Sequence, residues 1–191
     1  MKKKIIRNIY MEKRKQLSFQ QVEKMDDLML IQFQKLAIEI PSLIMTYAAM
    51  SRTKEFDPTL ITDYCFFKNP AVHLLYPVMV ELDGSNEILS VLTSDDTLFE
   101  INSSGIAEPV DSVDVYPSEI DMVIAPLLAF DKRGYRVGYG KGYYDRFLPR
   151  CRPDCIKIGF SYFDAIDSIE DISENDIPLD YCITHDTIYS F

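Results

Sequence analysis

Four of the chain's seven glycines fall in one short stretch, at Gly134, Gly138, Gly140 and Gly142. Glycine at that density means a backbone that turns tightly or lets something approach closely. Its neighbours narrow the choice. An apolar run, Met122-Val123-Ile124-Ala125, precedes it and reads as a buried strand that breaks at Pro126. Arg136, Lys141 and Arg146 are interleaved with the glycines, and Tyr143-Tyr144-Asp145 opens a short helix. A strand, a glycine loop carrying a lysine and a helix start together suit an anion, because backbone N–H groups converge there. The spacing fits neither common phosphate loop. Lys141 is followed by Gly142 rather than Ser or Thr, and the glycines at 138, 140 and 142 run G-x-G-x-G. The chemistry still holds: Lys141 can neutralise a transferred phosphate, Arg136 can grip it through two nitrogens, and Asp145 can hold Mg²⁺. A structural glycine turn with solvated charges is the competing reading.

A chain of 191 residues is expected to form one domain and is long enough for a proper core. Its net charge of −10 argues against non-specific nucleic-acid binding by the whole surface. Yet seven of its 20 basic residues (Lys2, Lys3, Lys4, Arg7, Lys13, Arg14 and Lys15) open the chain, opposed there only by Glu12. A basic start on an acidic body points to an anion, with a solvated helix face as the plainer alternative. Cys65, Cys151, Cys155 and Cys182 form no C-x-x-C pair, and only His73 and His185 can join them, so no zinc site is expected. Free thiols fit a reducing cytoplasm. No apolar segment resembling a secretory signal opens the sequence, and no run reaches membrane-spanning length. The expectation is a cytoplasmic protein with no nucleic-acid or membrane partner.

Residues 2–16 read as a helix with an apolar stripe of Ile5, Ile6, Ile9 and Tyr10, and with Lys3, Arg7 and Arg14 on the other side. Lys3 and Arg7 are neighbours on one face and repel, a penalty that a bound phosphate would remove. Ser18 and Gln21 make a capping-box pattern for a second helix to about residue 38, closed by Pro41. Residues 43–49 read as a strand, and Asp57-Pro58 as the N-cap and first position of a helix to about residue 67. Residues 72–76 read as a strand ended by Pro77, so strand, helix, strand predicts a parallel unit. Residues 78–91 read as a hairpin about Asp83-Gly84, and 98–109 as loop. A helix at 142–148, a strand at 156–160, an acidic connection at 164–176 and edge strands near 181–184 and 187–190 complete an α/β pattern with a mostly parallel sheet.

Other residues are ambiguous when taken singly. Tyr143 and Tyr144 suit packing as well as ligand contact. Glu55 follows a strand end and precedes a helix, which suits either a cleft at the carboxyl edge of a sheet or an exposed turn. Asp176, in Glu174-Asn175-Asp176, reads as a solvated loop acid.

The run Pro126…Phe130-Asp131-x-x-Gly134-x-Arg136-x-Gly138-x-Gly140-Lys141-Gly142-Tyr143-Tyr144-Asp145 resembles the signature of the 5-formyltetrahydrofolate cyclo-ligase family, the methenyltetrahydrofolate synthetases. The resemblance extends over nearly the whole chain. Lys3-x-x-x-Arg7, Leu17-Ser18, Glu55, Gly105-Ile106-x-Glu108-Pro109 and Glu174-Asn175-Asp176 all fall in the family's order. It implies a single three-layer α/β/α domain over residues 1–191, with helices on both faces of a mostly parallel sheet, of the NagB/RpiA/CoA-transferase kind. It implies ATP binding by Lys3, Lys4, Ile5, Ile6 and Arg7, and by Arg136, Val137, Gly138, Tyr139, Gly140, Lys141, Gly142, Tyr143 and Tyr144. Folate contacts are implied for Met50, Glu55 and the run Tyr139 to Tyr143. Asp145 and Asp176 would hold Mg²⁺, and Lys141 and Arg136 would carry catalysis in a monomeric enzyme. The implied reaction joins ATP to 5-formyltetrahydrofolate through the formyl oxygen and the γ-phosphate. N10 then closes on the activated carbon, giving 5,10-methenyltetrahydrofolate, ADP and phosphate. Catalysis would be positioning plus charge neutralisation.

The sequence departs from the family at three places. Ala165 stands where a glutamine is common, Glu87-Ile88-Leu89-Ser90 replaces a Met-x-Phe pair, and Asp57-Pro58 replaces an acid-Thr pair. These touch the expected folate side. They leave two alternatives open: a low-turnover folate- or nucleotide-binding protein, and an ATP-dependent enzyme acting on another formyl or amide substrate.

Overall fold

The computed structural model describes residues 1–110 and 112–191, apart from the Ser51 side chain. The chain begins with α1 (Lys3–Gln16), α2 (Phe19–Leu36), β1 (Leu43–Met45), α3 (Thr59–Lys68) and the hairpin β2 (His73–Leu82) and β3 (Ser85–Leu92). Short strands β4 (Phe99–Ile101), β5 (Ala107–Pro109) and β6 (Val113–Val115) follow. Next come β7 (Met122–Ala125), β8 (Ala129–Phe130), β9 (Arg136–Val137) and α4 (Tyr143–Phe147). The chain closes with β10 (Ile156–Phe160), β11 (Tyr181–Ile183) and β12 (Ile188–Ser190).

Eight strands make one sheet in the order β12-β11-β10-β7-β1-β2-β3-β6. The run from β11 to β2 is parallel, while β12, β3 and β6 pair antiparallel at the edges. Alternation along the inner strands splits the core. Ile44, Met122, Ile124, Ile158, Phe160 and Ile183 face one side, against Met29 and Phe33 of α2 and Ile61 and Cys65 of α3. Met45, Val123, Ala125 and Cys182, one residue out of step, face the other side, against Tyr144 and Phe147 of α4. Both faces are covered, as a parallel sheet requires. Gly159 of β10 packs so closely that a β-carbon there would lie 2.7 Å from Leu179 Cδ1 and nearer still to Leu127.

Local chemistry accounts for several boundaries. Ser18 Oγ accepts from the Gln21 N–H at 3.2 Å and Gln21 Oε1 accepts from the Ser18 N–H at 2.8 Å, a complete capping box for α2. Asp83 and Gly84 both take positive φ, +50° and +76°, as the tight turn between β2 and β3 demands. The helix expected from Asp57-Pro58 begins one residue later, at Thr59, because Asp57 Oδ1 caps from further out and accepts from the Thr59 N–H at 3.0 Å.

Other expectations need correction. Pro77 does not end a strand; it pairs with Ser90 in mid-β2. Odd-numbered residues of β2 turn their polar groups toward β1, as the His73 N–H to Ser42 bond shows, and β1 stops at Met45. The N–H that Pro77 lacks would have met no strand there. β1 is three residues rather than seven, since residues beyond Met45 turn away to line a cavity. Residues 98–109 are not plain loop but contain the β4–β5 ribbon, and β6, β8 and β9 are further additions. In α1 the buried stripe is Ile6, Tyr10 and Arg14, of which Ile6 and Tyr10 cluster with Leu128, just before β8, and with Ala129 and Val137 of the β8–β9 ribbon. Ile5 and Ile9 are exposed, and Arg14 is buried rather than solvent-facing.

Candidate active site

From β1 the chain leads through α3 to β2 on one side, and from β7 through α4 to β10 on the other. The connections therefore diverge between β1 and β7, and a crevice opens at their carboxyl ends. Tyr47, Ala48 and Met50 after β1, and Pro126 after β7, line it as a cavity of about 250 Å³. The glycine loop from Gly138 to Asp145 closes one wall, and α1 contributes Lys3 and Arg7.

Cations gather on the nucleotide side expected from the sequence. Arg7 Nε donates to the Gly138 carbonyl at 2.9 Å. Arg136 is buried; its Nη2 donates to Asp145 Oδ1 at 2.9 Å and its Nη1 to the Ile177 carbonyl at 3.2 Å. Burial pulls its guanidinium below the usual range, against the pull of Asp145. Lys3 Nζ donates to both oxygens of Asp176 at 2.5 Å. Burial raises the Asp176 carboxyl, but Lys3 and the Ser173 hydrogen bonds outweigh it and hold it below the ordinary value. Helix α4 has only five residues, so these cations rather than a helix dipole attract an anion here.

Glu55, also in the cavity lining, is buried, not an exposed turn acid. Its Oε2 accepts from the Met50 N–H at 2.9 Å. Desolvation raises its pKa, and the Met50 N–H, the Tyr139 hydroxyl and the Arg14 charge oppose the rise. Burial pushes Tyr139 up to about 12, with the Glu55 charge adding to it. At the mouth, the tip of the β4–β5 ribbon is drawn over the cavity. Lys141 Nζ donates to Ser104 Oγ at 2.9 Å, and Arg52 Nη2 donates to the Ser104 carbonyl at 2.5 Å.

The structure thus brings Lys3, Arg7, Met50, Glu55, Arg136 and the loop from Gly138 to Asp145 around one cavity. Lys4 and Ile5 lie exposed on α1, and the Ile6 and Val137 side chains are buried in the cluster beneath it. Asp176 stands behind Lys3. Arg52, Ser104 and Tyr47 belong to the site beyond the residues expected there, and Arg14, expected opposite the apolar stripe of α1, supports it from the core. Among the described residues no cluster of three His, Cys, Asp or Glu side chains stands ready for a metal. Ala165, Pro58 and the segment from Glu87 to Ser90 are not among the described residues that line the cavity.

The 5-formyltetrahydrofolate cyclo-ligase family matches residues 1–185, a span that contains every cavity-lining residue. The chain belongs to this family. A 5-formyltetrahydrofolate cyclo-ligase of Mycoplasma genitalium is 47% identical over 49 residues, which are 26% of this chain and 30% of that protein. The matched stretches thus span well under two thirds of such relatives; for the Haemophilus influenzae cyclo-ligase the share is 37%, at 43% identity over 35% of this chain. Structural likeness is more extensive. The Aquifex aeolicus 5,10-methenyltetrahydrofolate synthetase superposes with a TM-score of 0.79 at 26% identity, covering 100% of this chain and 93% of that one. In this member of the cyclo-ligase family the glycine loop lines the same cavity as Lys3 and Arg7 of α1 and Glu55. No helix among the described residues is long and apolar enough to cross a membrane.

Proposed function

We propose that this protein converts 5-formyltetrahydrofolate to 5,10-methenyltetrahydrofolate, consuming ATP and releasing ADP and phosphate. One observation carries the reading. A single cavity is lined by Lys3, Arg7, Arg136 and Lys141 together with the buried Glu55 carboxylate. Fixed cations suit a polyphosphate, and a buried acceptor suits the N–H groups of a pterin ring.

Arg7 and Lys3, on the wall that α1 supplies, bind the phosphates with the loop from Gly138 to Tyr144. Arg136, rigid in its buried setting, orients the γ-phosphate. Lys141, at the mouth where the two sides meet, neutralises charge as the formyl oxygen attacks phosphorus. Met50, Tyr139 and Tyr143 hold the folate beside Glu55 until N10 closes on the activated carbon. The buried Tyr144 hydroxyl has no partner in the described structure, so it is free to bond a ligand. The donor set suits magnesium: Asp145 is a carboxylate on the cavity wall, and a phosphate-bound Mg²⁺ needs one or two such oxygens besides water. Asp145 and, once Lys3 turns to phosphate, Asp176 would hold that ion, which would shield the phosphate charges.

We further read the architecture as a single three-layer α/β/α domain of the NagB/RpiA/CoA-transferase kind, acting as a monomer. The free thiols of Cys65, Cys151, Cys155 and Cys182 favour the cytoplasm. The test is purified protein with Mg²⁺, ATP and 5-formyltetrahydrofolate, followed by the absorbance of the methenyl product. Folate-dependent ADP release with that product supports the reading. No product, beside an active homologue, overturns it. Tight folate binding without ADP release would identify a binding protein, and turnover only with another formyl compound a different enzyme.

A further inference from the structure

Arg14 heads the fully buried side chains by volume, with 2% exposure. A guanidinium in the core is costly unless its hydrogens and its charge are met. Nη2 donates to the Leu127 carbonyl at 2.5 Å and Nη1 to the Tyr139 hydroxyl at 3.0 Å, while Nε is buried without a partner. Tyr139 lines the cavity, and its hydroxyl also lies 3.4 Å from Thr53 Oγ1. Arg14 therefore stands one residue behind the cavity wall, under the side where Glu55 is buried.

We propose that Arg14 is a positioning residue for the folate side of the site: it fixes the Tyr139 hydroxyl beside Glu55 and supplies the positive charge that balances that buried carboxylate. The proposal rests on the reading of the cavity as a cyclo-ligase site. Glu55 shares the cavity lining with Tyr47 from the segment after β1, Tyr139 from the glycine loop and Tyr144 from α4, and Arg14 of α1, bonded to the Tyr139 hydroxyl, adds its charge to that setting. Of these four only Arg14 is a cation. The three tyrosines can donate hydrogen bonds but cannot offset a full charge. Removing the guanidinium leaves the carboxylate uncompensated and frees the Tyr139 ring to shift. Arg14 also shares α1 with Lys3 and Arg7, so one helix braces both halves of the cavity.

The decisive measurement does not depend on turnover. Protein labelled with ¹³C at the glutamate carboxyl is titrated by NMR, with Glu55→Gln identifying the signal. In Arg14→Met the Glu55 midpoint moves upward by about 1 pH unit, because a nearby cation that favoured the charged form is gone. Arg14→Lys keeps the charge and restores most of the wild-type midpoint. In the folate assay Arg14→Met raises KM for 5-formyltetrahydrofolate about tenfold and KM for ATP less than about twofold. An unchanged Glu55 titration in Arg14→Met, or an equal rise in both KM values, overturns the proposal. Should Arg14→Met not fold, Arg14→Lys and Tyr139→Phe carry the test: a wild-type folate KM in Tyr139→Phe would remove the Tyr139 link. A wild-type protein inactive on folate would defeat the proposed function, while the titration would still decide what Arg14 does to Glu55.

Discussion

The Arg7 guanidinium lies flat against Gly140: its Cζ stands 2.8 Å from the place a β-carbon on Gly140 would occupy. Gly140 also holds φ at +92°, which an L side chain resists. The loop and α1 are thus fitted to each other at the one residue small enough to let them meet. Gly140→Ala is expected to raise KM for ATP about tenfold through displacement of Arg7, and to lower stability by about 1–2 kcal/mol through strain. Gly138→Ala is the control for stability. A β-carbon there meets nothing within 4 Å, so its unfolding midpoint stays close to wild type. Equal destabilisation of the two variants would show that the fit to Arg7 is not what Gly140 provides.

Lys141→Ala is expected to fold normally and lose about 10²–10³ in kcat. The Lys141 side chain is exposed and donates to Ser104 Oγ, so little of the fold depends on it. Circular dichroism and steady-state kinetics check the two halves. A kcat within threefold of wild type would remove Lys141 from the transition state.

Asp145→Asn should raise the Mg²⁺ concentration for half-maximal activity about tenfold, since a neutral amide is a poorer ligand for a hard cation. Chelation with EDTA should abolish turnover of the wild type. The amide oxygen can still accept from Arg136 Nη2, now 2.9 Å from Asp145 Oδ1, so the guanidinium keeps a partner. A metal titration at fixed ATP gives the answer. Unchanged half-saturation would place the ion elsewhere.

Asp26 of α2 predicts a pH dependence of stability. Burial raises its pKa to about 6; the Tyr162 hydroxyl opposes the rise, and Asp57 and Asp27 add to it. A carboxyl raised in the folded state favours folding while protonated, and that contribution is lost as pH climbs through the folded value. Asp26→Asn cannot ionise. It should match wild type near pH 4 and exceed it near pH 8 by about 1 kcal/mol, the shift being discounted for solvent screening. Urea unfolding at both pH values checks this. A constant difference between the two would mean that ionisation of Asp26 is not the cause.

What the sequence revealed followed the strength of local signals. Met122–Ala125 is an inner strand buried on both faces, so its apolar run is legible, and Ile156, Ile158 and Phe160 of β10 show the alternation of a strand. The capping box at Ser18 and the Asp83-Gly84 turn announce themselves through chemistry that acts within four residues. The ribbons did not. Strands β8 and β9 have two residues each, and Phe99, Ile101 and Val113 of β4 and β6 are exposed, so no periodicity marks them. In the site, the glycine loop was legible because glycine and lysine density is local. Arg14 was not, since a charge on a helix reads as solvated until its partners at 127 and 139 are known. It does continue the four-residue spacing of Ile6 and Tyr10, the one hint available. Arg52 and Ser104 are 52 residues apart, beyond any spacing rule.

The tight fit at Gly159 reaches further than its own strand. Leu127 fills the space a side chain would need there, and the carbonyl of that same Leu127 anchors Arg14. A methyl group added on β10 would press on Leu127 and, through it, tilt the support of Tyr139 and Glu55. Damage in the middle of the sheet would then register as a loosened hold on folate, and a change that touches no ligand could pass for a binding-site mutation.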